Sequence, residues 1–148
     1  MATRRRSFAA ALVTALLAGC APHVPYAISK DDQARFGKKL IVVHLPHRVD
    51  PLILGVDDCK LYRARIEHED IVGWDVTLAA DWGGSYPAFM TACTQESLAW
   101  DGKYVRVSFC AQAIGAGGGC ANGADYRSPT GARPWWYQSG SSWALLPR

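Results

Sequence analysis

The chain has 148 residues, of which 49% are hydrophobic, 20% charged and 11% aromatic, with a formal net charge of +3. That composition is too apolar for an intrinsically disordered chain, and the length fits one domain. Fourteen glycines and eight prolines exceed what a helical bundle carries, and the longest uncharged apolar run, Phe8 to Ala18, is too short to span a bilayer.

Three consecutive arginines, Arg4, Arg5 and Arg6, precede the apolar stretch Phe8 to Ala18, which closes on Gly19 and Cys20. A basic segment, an apolar segment of eleven residues and a small-residue site predict a secretory signal peptide over residues 1–19. The ending Leu17-Ala18-Gly19-Cys20 resembles the lipobox of bacterial lipoproteins. That resemblance implies cleavage before Cys20, diacylation of its thiol and a third acyl chain on the new amino terminus. It also implies outer-membrane sorting, because Ala21 and not aspartate follows the cysteine, with the domain facing the periplasm. Two or three acyl chains anchor stably where a single chain is marginal.

Removing residues 1–19 leaves 13 basic and 13 acidic residues, and the pair Lys38-Lys39 is the longest basic run left. Nucleic acid needs a clustered cationic surface, so it is not an expected partner. The remaining cysteines, Cys59, Cys93, Cys110 and Cys120, are even in number. In an exported domain they read as two disulfides.

Residues 20–29 are expected to hold the acylated cysteine and an extended tether with Pro22 and Pro25. Ser29 ahead of Lys30-Asp31-Asp32-Gln33 reads as a capped helix start, and Gly37 as its stop. Leu40 to Leu45 and Pro51 to Val56 read as strands. Leu61 to His68 and Trp74 to Ala79 alternate in polarity, with Glu69 to Gly73 as the connection between them. Trp82 to Pro87 reads as a turn. Pro87 to Glu96 fits helix or strand, since Pro87 suits a first helical position. Asp101-Gly102 reads as a two-residue hairpin turn. In that register Cys93 faces Cys110 at a non-hydrogen-bonded pair, which leaves Cys59 to bridge Cys120. Ile114 to Cys120 is a glycine-rich loop, and the tail reads as a turn and a closing strand. The expected fold is β-rich with a minor helix: a small antiparallel sandwich or barrel with two disulfides, in one domain over residues 30–148.

Little chemistry stands out. His44 and His47, with Asp50, Asp57 and Asp58, form the nearest approach to a metal-ligand set, but three residues apart in a strand the histidines face opposite ways. There is no GxSxG elbow, Ser85 reads as a turn residue, and the pairs Asp57-Asp58 and Glu69-Asp70 read as solvated turns. No catalytic residue, metal site or cofactor is expected. The aromatic tail is more informative. Trp135, Trp136, Tyr137 and Trp143 fall within nine residues, beside Tyr126, Arg127 and Arg133. Aromatics with arginine are what contact surfaces use, so Arg133, Trp135, Trp136 and Tyr137 form the candidate binding surface. Trp135 and Trp136 should point to opposite faces, one into the core.

Tyr126-Arg-Ser-Pro-Thr-Gly-Ala-Arg133 also resembles the Ser-Gly-x-x-Tyr loop of membrane-bound lysozyme inhibitors, which are small disulfide-linked β-barrel lipoproteins. Thr130 stands in place of the serine and Pro134 in place of the tyrosine. The expected function is a non-catalytic binding or structural module of the cell envelope, anchored at the outer membrane, with an envelope protein or an envelope polymer as its partner. The alternatives are an inhibitor of a lysozyme-like hydrolase and a small metal- or glycan-handling enzyme.

Overall fold

Ser29 holds extended backbone, and its hydroxyl oxygen accepts the Asp32 N–H at 3.0 Å. That cap starts helix α1, Lys30–Phe36, and Gly37 at φ +54° ends it. The computed structural model describes residues 23–80, 91–113, 120 and 122–147. The signal peptide, Cys20, the turn at 82–87 with Ser85, residues 87–90 and the glycine run 114–119 lie outside them.

A 3-10 turn over Gly37–Lys39 leads into a meander of four antiparallel strands, β1 (Leu40–Val43), β2 (Leu52–Asp57), β3 (Lys60–Glu67) and β4 (Asp70–Ala79). A second meander follows: β5 (Thr91–Trp100), β6 (Val105–Ala113), β7 (Asn122–Ser128), β8 (Trp136–Ser139) and β9 (Ser142–Leu145). In each sheet the strands hydrogen-bond in chain order. The β-rich fold with one short helix and two disulfides therefore stands as read from the sequence.

The inner faces of the two sheets share one core. Val43, Leu52, Leu54, Val56, Leu61 and Leu78 meet Val105, Val107, Phe109, Tyr126 and Trp135 there. Burying each such aliphatic side chain contributes roughly 1.5–3 kcal/mol. The outer face of the first sheet is covered by α1. Phe36 stacks 4.6 Å from the Trp74 ring and 5.7 Å from Tyr62. Gly55 makes room for it, because a Cβ there would sit 2.6 Å from the Phe36 ring.

Four expectations need correction. First, the tether is docked from residue 23 onward and not free. Tyr26 donates its backbone N–H to Glu69 O at 2.7 Å and its hydroxyl to Asp50 at 3.0 Å. Second, the β3–β4 connection is two residues, His68 and Glu69, both at positive φ, with β4 starting at Asp70. Third, residues 91–96 are strand, so the helix alternative fails over that part.

The fourth correction concerns the cysteines, which pair Cys59–Cys93 and Cys110–Cys120. Asp101 accepts the N–H groups of Lys103 and Tyr104, so the β5–β6 turn spans four residues and Trp100 pairs with Val105. A bulge at Thr94 then sets Cys93 opposite Ala111 and Gln95 opposite Cys110. Cys93 packs against the inner core with Cys59, whereas Cys110 points to the outer face toward Cys120 and Gly123. Two cysteines on opposite faces of one sheet cannot be bridged.

Candidate functional site

The period-2 alternation of β7, β8 and β9 decides where each aromatic of the tail goes. Tyr126 pairs with Tyr137, and Arg127 pairs with Trp136. Tyr126 belongs to the core, so Tyr137 faces inward with it, while Trp136 and Arg127 face outward. Trp135, just before β8, is buried at 2% exposure. The two adjacent tryptophans thus divide between core and outer face, as their spacing requires.

On the outer face the Arg127 guanidinium is sandwiched between two rings, 4.3 Å from the Trp143 centroid and 4.8 Å from that of Tyr104. Each such cation–π contact contributes about 0.5–1 kcal/mol at an exposed site and more when desolvated. The stack sets Tyr104, Arg127 and Trp143 side by side on the face that also carries the half-buried Trp136. Next to it lies a cleft of about 250 Å³ lined by Arg106, Ser108, Asp125, Tyr126, Gln138 and Trp143. Ser108 donates to Asp125, and Arg106 pairs with Asp101. The arrangement joins flat aromatic surface to a row of hydrogen-bonding groups on one exposed sheet face.

Of the four residues singled out in the sequence, Trp136 lies on this face and Trp135 and Tyr137 on the inner one. Arg133 is exposed and lines, with Pro134, Trp135, Leu145 and Leu146, a second cleft of about 460 Å³ at the end of β9. The four are therefore not one surface. Tyr104, Ser108 and Asp125 were missed, because only the β5–β6 turn and the β6–β7 register bring them to the platform. The Tyr126–Arg133 segment folds back on its own molecule. Ser128 is fully buried and donates to Ala132 O, while a Cβ on Gly131 would meet Leu54 at 2.9 Å.

Among the described residues the metal-ligand candidates form no cluster with ligand spacing, and each carboxylate has its own partner. Asp50 accepts from Tyr26, Asp57 from Arg35 at 2.9 Å and Asp58 from Lys60 at 3.1 Å, while His44 and His47 are exposed. Among the described residues the one cluster with ligand spacing is Cys59, Cys93 and Glu96, where the two sulfurs are already bonded to each other. Glu69 and Asp70 are exposed beside His23. No helix among the described residues is long and apolar enough to cross a membrane. Comparison with protein-family models, curated proteins and solved structures finds no match.

Proposed function

We propose that this chain is an acyl-anchored protein of the cell envelope that binds an envelope glycan polymer without catalysis, through the outer face of its five-stranded sheet. Residues 1–19 direct export, and Cys20 carries the lipid that holds the domain at the outer membrane. The observation that carries the binding reading is the Arg127 guanidinium stacked between Tyr104 and Trp143, beside Trp136 and the Ser108–Asp125–Gln138 row. A saccharide presents both apolar C–H faces and hydroxyls. A preformed aromatic platform flanked by donors and acceptors matches both at little ordering cost.

Trp136→Ala and Trp143→Ala in the full chain test this reading. Both variants are expected to melt near the parent temperature and to lose at least about tenfold in co-sedimentation with purified cell-wall sacculi, the scale of a binding hot spot. Trp135→Ala instead is expected to lose about 3–5 kcal/mol of stability, as core aromatic deletions do. Undiminished sedimentation of both outer-face variants would remove this face as the contact surface. Retention on an envelope protein in place of sacculi would replace the glycan with a protein partner.

A further inference from the structure

The inner face of the first sheet changes character along β3. Leu61 lies in the core, but two and four residues further on in the period-2 alternation Arg63 is half-buried and Arg65 exposed. With Arg48 from the β1–β2 connection they enter one pocket of about 330 Å³ that also takes in Asp50, Asp75 and Thr77. Three guanidinium groups in one pocket of a chain with so little net charge call for an account of each.

The two carboxylates are already engaged. Asp75 pairs with Arg65 at 3.2 Å, and Asp50 accepts the Tyr26 hydroxyl. Arg63 is half-buried and lies opposite Asp75 in the β3–β4 register, yet among the described residues neither it nor Arg48 has a side-chain hydrogen bond or ion pair. Burial first, and the Arg48 charge second, hold the Arg63 guanidinium below the usual arginine range, with Asp75 partly opposing them. A half-buried guanidinium with no bonded anion, beside the charge of the exposed Arg48, is unfavourable unless a further negative group arrives. The wall contributes a third unmet group. The register slips between Leu61 and Tyr62 and leaves Thr77 as the unpaired residue of a bulge, with its hydroxyl shielded from solvent and without a partner. Bulges of this kind re-aim side chains next to binding sites.

We propose that this pocket binds a phosphate-type oxyanion between the guanidinium groups of Arg48 and Arg63. The forked donors of two arginines match the several oxygens of such a group, and the lone positive excess of the pocket matches its charge. The pocket sits where the chain enters the fold, since Tyr26 docks on Asp50 in its wall. Five residues lie between Cys20 and Tyr26, and the six steps span at most about 20 Å. A lipid headgroup and a free phosphate are therefore both in reach. The headgroup source rests on the anchoring proposed above, and the free source does not.

The test follows the arginine Nε–H resonances of the detergent-solubilised full chain, titrated at matched ionic strength with inorganic phosphate and, separately, with soluble dihexanoyl phosphatidylglycerol. Saturable shifts of Arg63 and Arg48 are expected, and Arg63→Gln should weaken binding about tenfold or more, the scale of a charged hydrogen bond. Arg63→Lys keeps the charge and loses the fork, so it should fall between the two. Tighter binding of the lipid than of phosphate assigns the headgroup, and equal binding assigns the free oxyanion. If Arg63→Gln does not fold, the exposed Arg48→Gln carries the test. Absence of saturable shifts with both probes, or unchanged affinity in a folded Arg48→Gln variant, overturns the proposal. Sacculus binding reads the opposite sheet, so either result stands without the other.

Discussion

Asp101 answers to three donors at once: Arg106 Nε, Lys103 N–H at 2.9 Å and Tyr104 N–H at 2.7 Å. The Arg106 contact, then the two backbone N–H groups, lower its pKa from 3.8 to about 2. A carboxylate with a depressed folded-state pKa binds its proton more readily when the chain is unfolded. Its contribution to stability is therefore present above the ordinary aspartate value near pH 4 and is lost as pH falls through about 2. Asp101→Asn is expected to lower the melting temperature at neutral pH and to flatten the loss of stability between pH 4 and pH 2. An unchanged acid slope would mean that Asp101 is not the titrating group. The same side chain explains why the Asp-Gly signal was legible as a turn and misleading as a register. Only Gly102 takes positive φ, and the aspartate caps a four-residue connection where a two-residue turn needs both central residues in that region.

The β2–β3 and β3–β4 hairpins of the first sheet each turn on two non-glycine residues at positive φ, Asp58 with Cys59 and His68 with Glu69. That geometry matches the right-handed twist of the strands but favours asparagine followed by glycine. At His68-Glu69 no glycine marks the turn, which is why the sequence points instead to Gly73, a residue inside β4. Gly73 has a different reason: a Cβ there would meet the Arg65 guanidinium at 2.8 Å. Glu69→Gly removes a left-handed strain of about 1 kcal/mol and keeps the carbonyl that Tyr26 uses. The variant is expected to gain about that much in urea denaturation, and a loss would show that the Glu69 side chain does more than occupy the turn. The alternation of β3 was legible too, but not its consequence. Both faces of that strand are covered at its start, the Tyr62 face by α1 and the Leu61 face by the core, so polarity alone does not tell where along it the arginine pocket begins. The division of Trp135 from Trp136 needed only period 2. The Tyr104–Arg127–Trp143 stack needed the pairing of distant strands, which no local pattern encodes.

At the scale of the whole molecule, two meanders with no strand in common must be held face to face, and the hydrophobic core is non-directional. Direction comes from the edge where the β2–β3 turn meets β5. Cys59 bonds to Cys93 across the two sheets, Glu96 accepts the Cys59 N–H at 2.9 Å, and Lys39 pairs with the same carboxylate. The other bridge, Cys110–Cys120, closes a span of only 10 residues on the outer side of one sheet, against 34 for Cys59–Cys93. In the chain-entropy model the longer loop contributes about 4 kcal/mol and the shorter about 3 kcal/mol. The two deletions should differ in kind as well as in size. Cys59→Ala with Cys93→Ala keeps the backbone N–H that Glu96 accepts, yet it frees the sheets to separate. Amide exchange should then accelerate across β1, β2 and β5 together. Cys110→Ala with Cys120→Ala should leave those strands protected and speed exchange only near the end of β6 and the start of β7. Equal losses with the same exchange pattern would mean that both bridges act on the unfolded chain alone, and that the hydrophobic core by itself sets how the two sheets face each other.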